Sequence, residues 1–180
     1  MTRDQLEHAI RAACAVSSDT ELYIFGSQAI LGQYPDAPPS LRASVEVDLQ
    51  PKNRPDAIDK IDGALGELSL FHQTHGFYVH GVSLEAATLP ARWEERAIPI
   101  RNDATLGNTG YCLECHDLAA SKLCASREKD REFVTTLLIE GLVVAGTLLD
   151  RIAELPVDSG VRNRLVGWVK ATNLDLGLPP

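Results

Sequence analysis

No apolar run in this chain approaches the roughly 18 residues that a membrane-crossing helix needs, so no transmembrane segment is expected. Basic charge is scarce too. The 17 Lys and Arg against 25 Asp and Glu leave a net charge of −8, which argues against a broadly basic nucleic-acid-binding surface, because phosphate neutralisation dominates that affinity. A small local basic patch remains compatible with this balance. In place of a secretory leader the chain begins Thr2-Arg3-Asp4-Gln5, which reads as a helix capping box, and a cytoplasmic location is expected. Methionine occurs only at Met1. That weighs against the haem-attachment spelling of Cys112-Leu113-Glu114-Cys115-His116, since no Met remains for an axial ligand and attachment would require export. A compact zinc site from Cys112, Cys115, His116 and Cys124 lacks the second spaced pair typical of structural zinc. The cysteines therefore read as reduced thiols, Cys14 and Cys124 as small core residues on helices, Cys112 and Cys115 at a strand end. Internal repeats and low-complexity segments are also missing.

What is present is ordinary globular composition: 180 residues, 44% apolar and 23% charged, enough chain for a real core. Leu6, Ala9, Ile10 and Ala13 recur at helical spacing and predict an amphipathic helix over 3–16. Short strands are expected at 22–26, 45–49 and 77–82, with a short helix from 27 and another opened by Pro55-Asp56 and striped by Ile58, Ile61 and Leu65. The segments around Ile98-Pro99-Ile100 and Tyr111-Cys112-Leu113 read as a pair of edge strands, because Pro99 has no amide for a central ladder. From His116 the pattern is helical, over roughly 116–125, 128–140, 144–154 and 157–171, punctuated by Gly141 and Pro156. The last residues, 176–180, read as frayed. Strands first and helices after predict an α+β fold: a core over 1–115 and a helical C-terminal subdomain over 116–175.

Two features carry chemistry. Leu22-Tyr23-Ile24-Phe25 ends in Gly26-Ser27, with Ser27 as the expected N-cap of the helix that follows. Such a turn offers backbone N–H groups that suit phosphates, Gly26 by admitting close approach and Ser27 by its hydroxyl and amide. Then Val45-Glu46-Val47-Asp48-Leu49 alternates with period two, so Glu46 and Asp48 share one face about 7 Å apart while Val45, Val47 and Leu49 point to the core. Two carboxylates on one strand face suit a hard divalent cation. Ser44 falls on that same face by the same alternation. Metal and phosphate together point to phosphoryl or nucleotidyl transfer.

A hydrophobic strand, Gly-Ser, a spacer and then acid-hydrophobic-acid resembles the minimal nucleotidyltransferase family, and within it the AbiEii-type toxins and allied nucleotidyltransferase-like proteins of bacteria. The likeness continues in His116-Asp117-Leu118-Ala119-Ala120-Ser121-Lys122-Leu123 and Arg127-Glu128-Lys129-Asp130, so it spans roughly residues 20–140. It implies a nucleotidyltransferase-like mixed sheet flanked by helices, a nucleoside triphosphate as donor, and Mg2+ (or Mn2+) held by Glu46 and Asp48. It implies further that Gly26, Ser27 and Ser44 line the nucleotide site. Lys122 then serves as a triphosphate-binding cation, and Asp130 as its orienting partner or a further metal ligand. The acceptor would be an RNA such as tRNA, a protein hydroxyl or a small molecule, with an antitoxin protein as partner if the chain is a toxin. The chain departs from the family pattern in three ways. Eighteen residues separate Ser27 from Glu46, with Tyr34-Pro35-Asp36-Ala37-Pro38-Pro39 reading as an insertion. The first acid is Glu where Asp is usual. A third acid is not evident, Phe77-Tyr78-Val79-His80 offering His80 instead, which favours as the alternative a catalytically inactive nucleotide- or partner-binding module; His80 and His116 are assigned no role.

Overall fold

A computed structural model describes residues 1–178, and these divide into two compact units, residues 1–86 with 96–114 and residues 87–95 with 115–178. The first is α+β. Its N-terminal helix α1 (Arg3–Ser17) opens with the expected capping box: Gln5 N–H donates to Thr2 Oγ1 at 3.2 Å and Thr2 N–H to Gln5 Oε1 at 2.8 Å. The strands are β1 (Glu21–Ile24), β2 (Glu46–Pro51), β3 (Tyr78–Gly81), β4 (Ile98–Ile100) and β5 (Thr109–Cys112), in the order β3-β2-β1-β5-β4. β1 runs antiparallel to β2 and parallel to β5, β3 runs parallel to β2, and β4 antiparallel to β5. The sheet is therefore mixed. β4 is an edge strand, as Pro99 requires, but β5 is interior, since β1 occupies its other side.

Alternation divides the sheet into two faces. Leu22, Ile24, Val47, Leu49 and Val79 are at most 1% exposed and join Leu6 and Ile10 of α1 and Ile61 of helix α3 (Ile58–Leu65) in one core. The alternate positions Tyr23, Glu46, Asp48, Gln50, Tyr78, His80 and Tyr111 are half-buried on the opposite face. Val45 departs from its expected place: it precedes β2 and is 45% exposed. Between β1 and β2 lie a single 3-10 turn (Ser27–Ala29), the one-turn helix α2 (Ile30–Gln33) and the proline-rich loop, anchored by buried Ala37 and Leu41. A second short helix, α4 (Leu70–His75), precedes β3; sequence periodicity misses it because none of its residues is buried.

Short α5 (Trp93–Arg96) precedes β4. The second unit is built on α6 (Cys115–Ala125), α7 (Glu128–Ile139), α8 (Ala145–Ala153) and α9 (Ser159–Asp175), close to the helices expected. Its last turn is ordered through Leu178 rather than frayed. Gly177 takes φ +65° and Leu178 N–H reaches back to Asn173 O at 3.1 Å, the closing bond of a Schellman cap. Pro179 and Pro180, included in the frayed expectation, lie outside the described residues. No helix among the described residues is long and apolar enough to cross a membrane.

Candidate metal and nucleotide site

The two acids and a histidine converge on the half-buried face of the sheet. Parallel pairing of β2 with β3 sets Asp48 beside His80 and Glu46 beside Tyr78. His80 Nδ1 then stands 3.0 Å from Asp48 Oδ1 and 3.2 Å from Glu46 Oε1. Carboxylates only accept hydrogen bonds, so His80 donates here in the tautomer with the proton on Nδ1, and in the other tautomer the same nitrogen turns a lone pair towards the acids. The three groups are accessible, their side chains 36% (Glu46), 27% (Asp48) and 42% (His80) exposed. Tyr78 adds a phenol: burial, then the negative charges of Glu46, Glu67 and Asp48, push its pKa above the usual tyrosine range.

The Gly-Ser turn meets the same acids. Phe25 N–H donates to Asp48 O at 3.0 Å, which brings the end of β1 alongside Asp48. Gly26 has φ +79°, and a Cβ built there would lie 2.0 Å from Asp48 Oδ2. The carboxylate fills the space that a side chain would take, so only glycine fits. Gly26 rather than Ser27 is the cap residue, with no side-chain cap bond, and half-buried Ser27 opens the 3-10 turn. Ser44 lies just before β2. Its hydroxyl accepts Glu46 N–H at 3.1 Å and so fixes the entry to the strand.

Lys122 and Asp130 belong to the second unit and pair there. Lys122 Nζ is 3.2 Å from Asp130 Oδ1 and 4.7 Å from the centre of the Phe133 ring, and Arg127 Nε lies 2.6 Å from Asp130 Oδ2. Burial pushes the Asp130 carboxyl up, but the hydrogen bond from Arg127 and the charge and hydrogen bond of Lys122 outweigh it and hold the pKa below the usual aspartate range. Lys122 is only 9% exposed, so its ammonium is held among these groups rather than in solvent. In the same unit Arg151 Nε approaches fully buried Asp117 at 3.2 Å, and His116 Nε2 accepts Val144 N–H at 3.0 Å.

Residues 4–162 match one family, described as nucleotidyltransferase of unknown function (DUF6036). The chain belongs to that family. No curated protein and no solved structure matches it.

For a nucleotidyltransferase a divalent ion is the expected companion, and the donor set fits one. Glu46, Asp48 and His80 each offer a ligand atom, all within 4.8 Å of one another, and among the described residues no other group of three or more His, Cys, Asp or Glu does so. Ligands at right angles on an ion with bonds of about 2.1 Å stand about 3.0 Å apart, close to the 3.0 and 3.2 Å found at His80. The cysteines stand apart from this chemistry: none is in a disulfide, and Cys14, Cys112 and Cys115 are buried. Burial pushes the Cys112 thiol up to about 12, which favours neither a thiolate ligand nor a nucleophile. His80 is the residue that sequence reasoning left without a role. Its signal was its place on the strand where the nucleotidyltransferase resemblance leads one to expect a third acid, but only the β2–β3 register puts it beside Asp48.

Proposed function

We propose that this chain is a metal-dependent nucleotidyltransferase that transfers a nucleotide from a nucleoside triphosphate to a hydroxyl. One observation carries the reading: Glu46, Asp48 and His80 converge beside the Gly26 turn, in a member of a nucleotidyltransferase family. Magnesium or manganese, when bound by Glu46 and Asp48, would neutralise charge on the triphosphate and lower the acceptor hydroxyl's pKa. Gly26 admits the triphosphate close to the backbone, and Ser27 donates its amide and hydroxyl to phosphate oxygens. Ser44 holds the start of β2 and with it the angle of Glu46. Lys122 is proposed as a triphosphate cation and Asp130 as the carboxylate that fixes it; their ion pair is consistent with that orienting role. The acceptor is proposed to be a tRNA, a protein or a small molecule. A cytoplasmic bacterial toxin opposed by an antitoxin protein is the biological setting that the toxin resemblance favours.

The reading is tested by incubating the purified chain with each labelled nucleoside triphosphate, Mg2+ or Mn2+, and total tRNA. Label in RNA or in the chain itself, lost in Asp48→Ala, is the expected result. No transfer to any acceptor, with nucleotide still bound, would establish the second reading, a non-catalytic nucleotide- or partner-binding module. That reading is favoured by His80, whose imidazole already bridges the two acids where a third carboxylate would complete a two-metal centre.

A further inference from the structure

We propose that His80 is the metal-selecting residue of this site, and that the site takes a transition-series divalent cation of the Mn2+ type in preference to Mg2+. This rests on the metal-site reading above and deepens it. The two acids by themselves make an all-oxygen set, which suits Mg2+, Ca2+ and Mn2+ alike. His80 changes the chemistry of the set. Its Nδ1, not its far nitrogen, is the atom turned towards Glu46 Oε1 and Asp48 Oδ1, at 3.2 and 3.0 Å. An imidazole nitrogen is a softer donor than a carboxylate oxygen, and it is a common ligand for first-row transition ions but a rare one for Mg2+. The backbone sets this placement: the β2–β3 register puts His80 beside Asp48, and the Asp48 carboxylate lies against the Gly26 turn, where a Cβ would come within 2.0 Å of Oδ2. The pocket therefore offers one nitrogen and two oxygens on a half-exposed face, with room left for water or phosphate oxygens to complete the shell.

The test uses the full chain and MnCl2 as the probe, with Mn2+ followed by electron paramagnetic resonance and Mg2+ by competition. Electron spin-echo measurements on the bound ion are expected to show a directly coordinated nitrogen that disappears in His80→Ala. In His80→Asp the ratio of Mn2+ to Mg2+ affinity is expected to fall by at least about tenfold, since outer and inner ligand changes move metal affinity by about 10–100-fold. The nitrogen signal is read on the parent chain, so the test stands even if a variant folds poorly. Bound Mn2+ with oxygen ligands only, or a nitrogen signal that survives in His80→Ala, overturns this proposal and leaves the metal site itself intact. Failure to bind Mn2+ at all, with a non-hydrolysable nucleoside triphosphate present, overturns both.

Discussion

A Cβ on Gly26 would sit 2.0 Å from Asp48 Oδ2, at a residue whose φ of +79° already resists side chains. Gly26→Ala must therefore both strain the turn and push the Asp48 carboxylate off its place. The expected outcome is a loss of Mn2+ affinity of about 10–100-fold and a destabilisation of about 1–3 kcal/mol, read by metal titration and urea unfolding. Unchanged metal affinity would separate the turn from the acids. Another acid, Asp19, acts purely in the fold. It accepts from Thr20 N–H at 2.7 Å, Asn53 N–H at 2.7 Å, Asn53 Nδ2 at 2.9 Å and Arg54 N–H at 3.0 Å. Burial pushes its pKa up, yet the hydrogen bonds from Asn53, Glu21 and Thr20 outweigh it and hold the folded value below the ordinary one. A depressed folded pKa stabilises the protein above the unfolded value of about 3.9 and loses that contribution as pH falls through the folded value. Urea unfolding between neutral pH and strongly acid pH should show Asp19→Asn less stable at neutrality and flatter in acid. Parallel curves for the two proteins would refute this.

Among the elements, those with a strong period were legible and those set by distant pairing were not. Glu46 and Asp48 follow from period two, and α1 and α3 from 3.6-residue stripes. The interior place of β5 could not be read, because its partner β1 lies some ninety residues earlier and nothing local marks the parallel pairing. α4 was invisible for the opposite reason: with Leu70 80% exposed, it has no buried stripe to show a period. His80 shares the first difficulty, since its role depends on register across β2 and β3. The α6–α7 pair shows what burial adds to a motif. Asp130, 1% exposed, holds Lys122 from α6 and Arg127 from the start of α7. Removing one partner of a buried pair leaves the other charge uncompensated, which costs about 3–5 kcal/mol. Asp130→Ala should lose stability on that scale in denaturant unfolding, and Lys122→Met, which keeps the stem against Phe133, should lose less because Arg127 still holds Asp130. If Asp130→Ala unfolds within about 1 kcal/mol of the parent, the pair is no structural clamp, and its presence in the motif would be due to ligand alone.

At the scale of the whole chain, a net charge of −8 and a pocket with two carboxylates oppose the approach of a polyphosphate. The half-buried sheet face that carries Glu46, Asp48 and His80 can accept a triphosphate only if a cation offsets the three sets of negative charge together. Metal and nucleotide should therefore stabilise the protein jointly, and each alone much less. With both present at about 100 times the dissociation constant, the added stability should approach 2.7 kcal/mol, measurable as a rise in Tm. A chelator should abolish that rise without lowering the Tm of the ligand-free protein, because among the described residues the half-exposed group of Glu46, Asp48 and His80 is the one gathering of three or more potential metal ligands. Chelation that unfolds the free chain would show a structural metal, against the expectation drawn from the cysteine spacing. Equal shifts from nucleotide with and without chelator would mean that the negative pocket binds nucleotide unaided, and the acids would then have to face something other than phosphate.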